Sequence, residues 1–459
     1  MSSVVSELRR ILGERALVPG ADARQRVGWT GEAVSAAALV RPATTEEVAA
    51  TLAVCNAAGQ AVVPHGGLTG LVGGASTGPD ELALSLERMA AIEDIDTTGR
   101  TMTVQAGVPL QTVQEQASEA GLMFPLDLGA RGSCTIGGNA ATNAGGVRVI
   151  RYGMMRQNVL GLEVVLADGR ILSSLNRMLK NNAGYDLKQL FIGSEGTLGV
   201  ITRLVLRLVE MPRSRDTALV GIREFDRVAR FLRYADASLG GRLSAFEVMW
   251  RDHYVLATRE SGRHASPLPG DYAYRVLLES LGSEPESDRE DFESALASAL
   301  EQGLIEDAVI AKSAAERDAM WAIREDVEVL LRFDPIFLFD VSLPIRDMPA
   351  YLDGVRAALD AACPQNRCFV FGHLGDGNLH LSIAPGERDA GLQERVERIV
   401  YGQLEGLGGS ISAEHGIGLA KKPHLPLARS EVEIGLMRAL KTVLDPNGIL
   451  NPGKMFDPA

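Results

Sequence analysis

Three clusters of glycine set the tightest limit on what this chain can fold into. Pro64-His65-Gly66-Gly67-Leu68-Thr69-Gly70-Leu71-Val72-Gly73-Gly74-Ala75 holds five glycines in twelve residues. The stretch from Gly129 to Gly146 contains Thr135-Ile136-Gly137-Gly138-Asn139 and Thr142-Asn143-Ala144-Gly145-Gly146, and Gly193-Ser194-Glu195-Gly196-Thr197-Leu198-Gly199 opens directly into the apolar run Val200 to Leu208. Such loops aim backbone N–H groups into one space, which holds phosphate without basic side chains. Turns and bulges would explain one loop of this kind; three long ones point to a site built from backbone. A Rossmann dinucleotide fold is poorly supported, because no G-x-G-x-x-G lies between a strand and a helix with an acidic residue about twenty positions on. No Walker sequence is present.

At 459 residues the chain is long enough for two or more packed domains. Lys and Arg number 46 against 59 Asp and Glu, a net charge of −13 that disfavours nucleic acid and anionic membranes, so an anionic ligand must find local positive potential. Cys55, Cys134, Cys363 and Cys368 form no CxxC pair, which suggests free thiols in a reducing compartment. Residues 1–16 place Val4, Val5, Leu8, Ile11 and Leu12 at helical spacing with Glu7 and Glu14 among arginines, an amphipathic surface helix rather than a signal or transit peptide. With no long apolar run, the expectation is a cytoplasmic protein, or a mitochondrial-matrix one in a eukaryote, with no integral membrane segment.

Periodicity predicts a mixed chain. Thr44 and Glu47 form a capping box before a helix over 48–58 stopped by Gly59, and a strand over 61–63 runs into the first glycine cluster. Further strands and a helix over 109–120 follow, then a hairpin turning at Asp168-Gly169. Pro212 marks a boundary. Beyond it, strands over 218–222, 244–250, 272–278 and 308–311 alternate with helices over 224–237 and 287–301, an α+β layering. Ser430 and Glu433 cap a last helix with Ile434, Met437, Leu440 and Leu444 on one face, ended by Asp445-Pro446-Asn447-Gly448.

Several blocks carry a family resemblance: Pro64 to Ala75, Pro125-Leu126-Asp127-Leu128-Gly129, Thr135 to Asn143, Arg151-Tyr152-Gly153, Asn158 to Glu163, Gly184-Tyr185-Asp186-Leu187 and Phe191 to Ile201. They resemble the FAD domain of the vanillyl-alcohol oxidase and p-cresol methylhydroxylase flavoprotein superfamily. Gly372-His373-Leu374-Gly375-Asp376-Gly377-Asn378-Leu379-His380 and Ser412-Ala413-Glu414-His415-Gly416-Ile417-Gly418 are similar to the FAD-linked D-2-hydroxyacid dehydrogenases, the D-lactate and D-2-hydroxyglutarate group. The resemblance implies an α+β fold with a two-part FAD-binding domain over 1–211, an α+β substrate or cap domain with a metal site over 212–425, and a C-terminal helix and tail over 426–459 returning to the FAD domain. It implies FAD contacts from Pro64, His65, Gly66, Gly67, Leu68, Thr69, Gly70, Leu71, Pro125, Asp127, Thr135, Gly137, Gly138, Asn139, Thr142, Asn143, Gly145, Tyr152, Glu195, Gly196, Gly199, Ile201 and Asn451. Some superfamily members attach FAD covalently through a histidine after a Gly-Gly; here Leu68 follows Gly66-Gly67, so the expected FAD is noncovalent.

His373, His380 and His415 fall in one C-terminal region. On a straight strand positions 373 and 380 face opposite sides, but a turn at Gly375-Asp376-Gly377-Asn378 lets the two imidazoles converge. Two imidazoles and the Glu414 carboxylate suit zinc or a similar divalent ion with room for substrate, and the resemblance supports these three as ligands; Asp376 competes for the role. Core hydrogen bonding is the plainer fate of any single histidine. Oxidising a 2-hydroxy acid requires removal of the hydroxyl proton and transfer of the α-hydride, and His415 is the expected proton acceptor and a substrate contact. Arg324 aligns with a substrate-binding arginine of the family; its alternative is an i+4 surface pair with Glu328. His424 reads as surface, and His253 and His264 receive no role.

The substrate signals conflict. Family members that bind a dicarboxylate commonly carry a lysine where this chain has Leu338, and Glu328 replaces a serine or threonine and would repel a second carboxylate if it faced the pocket. The stretch Lys180-Asn181-Asn182-Ala183-Gly184-Tyr185-Asp186-Leu187-Lys188-Gln189-Leu190 nonetheless resembles the hydroxyglutarate branch. If another cation fills the role, Lys312, Arg332 and Arg346 are the candidates. The expected reaction is oxidation of a D-2-hydroxy acid, with electrons passing to a protein carrier or quinone and a homodimer as the group's common assembly. An alcohol or sugar oxidase on the same fold would not need the His373, His380 and Glu414 cluster, and a noncatalytic flavin sensor would bind FAD that no hydroxy acid reduces.

Overall fold

The computed structural model describes residues 2–29 and 31–457. The chain divides into one unit of Met1–Gly145, Gly153–Met211 and Glu414–Ala459, and a second of Gly146–Tyr152 and Pro212–Ala413. Two stretches therefore belong elsewhere than the sequence suggested: 146–152 goes with the second unit, and 414–425 with the first. Hydrogen bonding gives the reason. Arg151 Nη1 donates to the Arg242 carbonyl at 3.2 Å, while the N–H groups of Leu419 and Ala420 donate to the Val72 carbonyl at 2.8 and 3.1 Å.

The first unit contains two larger sheets. One has four strands in the order Leu17–Pro19, Ala38–Val40, Leu82–Ser85, Val62–His65, the last three parallel. The other is antiparallel with five, in the order Ile92–Asp96, Thr101–Gln105, Val200–Arg207, Val159–Val165, Ile171–Ser174. Thr44 caps the helix Thr45–Ala58 through the Glu47 N–H, and Gly59 stops it at φ 61. That helix buries Val48, Leu52 and Cys55 in one core with Leu84, Val104 and Leu204 and with Val4 and Leu8 of the first helix, Ser2–Leu12. Ser430 and Glu433 complete a capping box on the helix Glu431–Leu444. Beyond it, Asp445 accepts from the N–H groups of Ile449 and Leu450 at 3.0 and 2.8 Å, and Val62 N–H donates to the Ile449 carbonyl at 2.8 Å. The tail is thus stitched beside the strand that feeds the first glycine cluster.

The second unit is built on a seven-stranded antiparallel sheet in the order Asp307–Ile310, Ser214–Ile222, Tyr274–Gly282, Leu243–Trp250, Arg367–His373, Asn378–Ala384, Phe337–Ser342. Alternation sorts its faces. Ala245 and Met249 join Leu219, Leu277 and Phe371 in a cluster with Trp321 of the helix Ala314–Glu325. Phe246, one step along, meets Phe231 of the helix Phe225–Ser238 at 5.7 Å. Among the described residues no helix is long and apolar enough to cross a membrane.

His253, which the sequence left without a role, is fully buried in the helix Arg251–Val255, its ring 4.2 Å from that of Phe371 and neither nitrogen hydrogen-bonded. Burial, aided by the Arg324 charge, lowers its pKa to about 3. The folded state therefore refuses a proton that the unfolded chain takes near its ordinary pKa of 6.5. The stability this preserves is complete above pH 6.5 and falls as pH drops from there toward 3, by up to about 1.4 kcal/mol per pH unit. His253→Phe keeps the stacking and loses the titration, so chemical denaturation at pH 7 should show it at least as stable as the parent. Between pH 6.5 and 4.5 its stability should fall less steeply; an unchanged slope would contradict this account.

Candidate active site

The strands Arg367–His373 and Asn378–Ala384 form a hairpin closed by the short 3-10 turn Leu374–Asp376 and by Gly377 at φ 83. Asp376 Oδ1 accepts the Asn378 N–H at 3.1 Å, so the carboxylate weighed as a metal ligand braces the turn. A Cβ on Gly372 would lie 2.3 Å from the Asn378 carbonyl oxygen, which is why the hairpin needs glycine there. Folding back brings the rings of His373 and His380 to 5.3 Å at an 82° tilt. Glu414 follows directly on Ala413, and one ligand atom each from His373, His380 and Glu414 lie within 4.8 Å of one another. This donor set, two imidazoles and one carboxylate, fits a zinc-like ion with an open position. His415, half-buried, is the next residue.

A carboxylate that sequence alone did not single out holds His373 in place. Glu247 is the cross-strand partner of His373, and its Oε1 lies 2.7 Å from His373 Nδ1. Its Oε2 accepts from Arg324 Nε at 2.8 Å, with Nη2 also 2.7 Å away. Burial pushes the Glu247 carboxyl up, but His373 and Arg324 outweigh it and hold it below the usual carboxylate range. Arg324 is 5% exposed, its guanidinium 4.6 Å from the Phe371 ring centre. Its Nη2 lacks a hydrogen bond of good geometry, which leaves a buried donor of the kind a carboxylate would satisfy.

The i+4 pair of Arg324 with Glu328 does not form. The helix ends at Glu325, and Glu328 lies in the following 3-10 segment Val327–Arg332, its exposed side chain 3.2 Å from Arg263. Leu338 is 49% exposed on the edge strand Phe337–Ser342.

In the first unit the three glycine clusters meet. A Cβ on Gly66 would lie 2.7 Å from Thr135 Oγ1, and one on Gly67 only 1.9 Å from the Ser133 carbonyl oxygen. Glu195 N–H donates to the Ala141 carbonyl at 2.8 Å, and Asn451 Nδ2 donates to the carbonyls of Gly74 and Glu195 at 3.0 and 2.7 Å. Leu68, Asn143, Glu195 and Asn451 all take positive φ, between 42° and 55°, an outlying conformation for side-chain-bearing residues that gathers at functional sites. Among the described residues nothing accepts the backbone N–H groups of Gly66 to Leu71, and the buried Oδ1 atoms of Asn139 and Asn451 have no partner. Unspent donors and orphaned amides beside a strained backbone fit a polyanionic cofactor such as FAD.

Several residues expected at the cofactor are already engaged. Glu195 is buried with its carboxylate on the N–H groups of Ile417 and Gly418 at 2.7 and 2.8 Å; burial raises its pKa against those bonds. Asp127 pairs with Arg131 at 2.7 Å, Thr135 caps the helix Ile136–Ala141, and Thr142 Oγ1 donates to the Gly138 carbonyl. Pro125 and Ile201 are buried, and Tyr152 lies in the segment that goes with the second unit. His65 Nε2 is 3.0 Å from the Ala75 carbonyl oxygen, and burial lowers its pKa to about 4, so the ring is neutral and occupied.

Residues 36–174 match the model of an FAD binding domain, and residues 211–455, more than half the chain, match that of the C-terminal domain of FAD linked oxidases. A D-2-hydroxyglutarate dehydrogenase of Xanthomonas citri pv. viticola is 43% identical over 92% of this chain and 89% of its own length, and the mitochondrial D-2-hydroxyglutarate dehydrogenase of Bos taurus is 42% identical over 92% and 77%. The chain belongs to the FAD-linked D-2-hydroxyacid dehydrogenases. It is an FAD-dependent oxidoreductase. Its fold is that of the vanillyl-alcohol oxidase and p-cresol methylhydroxylase superfamily: a solved p-cresol methylhydroxylase superposes with a TM-score of 0.79 at 16% identity, covering 99% of this chain and 97% of the other.

For this dehydrogenase the signal for Glu247 was available as a single acid inside the apolar run Leu-Ser-Ala-Phe-Glu-Val-Met-Trp, where an unpaired charge would be too costly to keep. Gly67 is a poor place to test the cradle, since any side chain there collides with protein. Gly70 has an unstrained φ, and a Cβ placed on it would meet nothing within 4 Å. Gly70→Asp should therefore fold with the stability of the parent apoprotein yet lose FAD affinity at least tenfold, as read by flavin fluorescence on titration, whereas Gly70→Ser should lose little. Equal affinity in Gly70→Asp would remove this loop from the cofactor site.

Proposed function

We propose that the chain oxidises a D-2-hydroxy acid to the 2-oxo acid, using noncovalent FAD and a divalent ion of the zinc class, and passes the electrons to a protein carrier or quinone. The observation that carries this reading is the convergence of His373, His380 and Glu414, with Glu247 tying His373 to a buried arginine. The loops over 64–71, 135–145 and 195–201, with Asn451, would hold FAD. When bound, FAD supplies the acceptor for the α-hydride, and a divalent ion on His373, His380 and Glu414 supplies a Lewis acid for the substrate hydroxyl. Arg324 binds and orients the α-carboxylate through its unspent donor. His415 takes the hydroxyl proton as general base. Leu68 after Gly66-Gly67, and the bond of His65 to Ala75, support noncovalent attachment. The four free cysteines, three of them buried, suit a reducing compartment.

Anaerobic addition of D-2-hydroxyglutarate or D-lactate should bleach the flavin absorbance, and acid precipitation should release all flavin as FAD. Chelation should abolish reduction without releasing flavin. His373→Ala, His380→Ala and Glu414→Ala should each do the same; full metal content and turnover in all three would refute the site.

The tail of the substrate is the second test. Burying an unpaired carboxylate costs several kcal/mol, whereas a methyl or branched tail gains about 1–3 kcal/mol in an apolar pocket. With Leu338 where relatives of the dicarboxylate type carry lysine, a small or apolar-tailed D-2-hydroxy acid should compete well with D-2-hydroxyglutarate. Leu338→Lys should shift kcat/KM toward D-2-hydroxyglutarate, while Arg324→Ala should damage every substrate. A strong native preference for D-2-hydroxyglutarate would mean that another cation serves the second carboxylate.

A further inference from the structure

We propose that Glu247 is the positioning residue of the metal site: its carboxylate fixes the proton of His373 on Nδ1, leaves Nε2 as the metal-facing nitrogen, and locks that imidazole to the arginine that receives the substrate carboxylate. The inference rests on the metal reading given above and adds a residue that touches neither metal nor substrate. Register puts Glu247 and His373 directly opposite on neighbouring antiparallel strands, so both side chains leave the same face of the sheet. Oε1 lies 2.7 Å from His373 Nδ1, and Oε2 accepts from Arg324 Nε at 2.8 Å. All three side chains are buried, which prevents water from replacing any of these partners. A carboxylate on one ring nitrogen of a metal-binding histidine sets its tautomer and orientation, and losing such a partner typically costs 10–100-fold in metal affinity.

A buried acid could instead serve only to neutralise a buried arginine. Glu279 is the comparison: also fully buried in this sheet, it takes Trp321 Nε1 at 3.2 Å and Arg215, and it is not bonded to His373. Zinc affinity of the FAD-loaded protein, measured by chelator competition, should fall 10–100-fold in Glu247→Gln and stay within about twofold in Glu279→Gln, with FAD retained in both. In metal-stripped, FAD-loaded parent protein, two-bond proton–nitrogen NMR correlations should give His373 as the Nδ1–H tautomer, and Glu247→Gln should lose that preference. Should Glu247→Gln fail to fold, Glu247→Asp, whose shorter arm cannot serve both partners, should show the same loss. Parent-like zinc affinity in the folded variant, an Nε2–H tautomer in the parent, or an equal loss in Glu279→Gln would each overturn the proposal. Failure of the underlying metal reading would look different: His373→Ala would bind zinc as the parent does, or the parent would bind none, with the tautomer of His373 still set by Glu247.

Discussion

A carboxylate removed from water without compensation costs several kcal/mol, and Glu247 is such a carboxylate at the centre of the second unit. Its charge is tolerable only because Arg324 and His373 reach it from two directions, one from the helix Ala314–Glu325 and one from the neighbouring strand. That requirement fixes how the helix sits over the sheet, and it brings Arg324 over Phe371, whose ring also lies beside those of His253 and His380. A single buried acid thus couples strand register, helix placement and the orientation of a metal-binding imidazole. Removing Arg324 would leave the Glu247 charge buried without its counter-charge, and removing Glu247 would do the same to Arg324.

The first unit meets a different constraint: its glycine loops must hold backbone N–H groups outward, and backbone conformations of that kind are costly. Positive φ at a residue bearing a side chain costs roughly 1–3 kcal/mol. Three of the four cases are held by hydrogen bonds and the fourth by packing. Asn143 Oδ1 accepts the Arg156 N–H at 2.9 Å, Glu195 grips the Ile417 and Gly418 amides, Asn451 bridges Gly74 and Glu195, and Leu68 packs its side chain against the small core of Val34 and Leu39. The C-terminal segment supplies three of these partners, Ile417, Gly418 and Asn451. Chain far from the loops in sequence is therefore what keeps them in shape.

Local signals were legible in the sequence and long-range pairing was not. Caps at Thr44 and Ser430, the stop at Gly59 and the Asp-Gly hairpin are decided within a few residues, and the structure has each where the pattern puts it. The convergence of His373 with His380 followed from the glycines between them. The partners of Arg324 and His253 did not, because they depend on the register of strands over a hundred residues apart; helical spacing pointed Arg324 to Glu328, and the helix ended before that pair could form. The passage of 146–152 to the second unit was equally hidden, since it rests on carbonyls at Arg242 and Leu281 that no local pattern announces.

Charge balance ties these observations to substrate choice. Glu247 already neutralises Arg324, so this arginine offers a carboxylate directed donors rather than a free positive charge. Under the proposed function the compensating charge must come from the metal: a divalent ion on two neutral imidazoles and one carboxylate carries a net charge of +1, equal and opposite to that of one substrate carboxylate. A monocarboxylate closes this balance. A second carboxylate reopens it, and under the same proposal the position that would need a cation is held by Leu338, an exposed aliphatic side chain. Solvent at that edge can screen a charged tail in part, which is why the chain need not exclude a dicarboxylate outright. Unless another cation serves that tail, discrimination between tails falls to the apolar surface Leu338 offers and to how much of the tail stays in water.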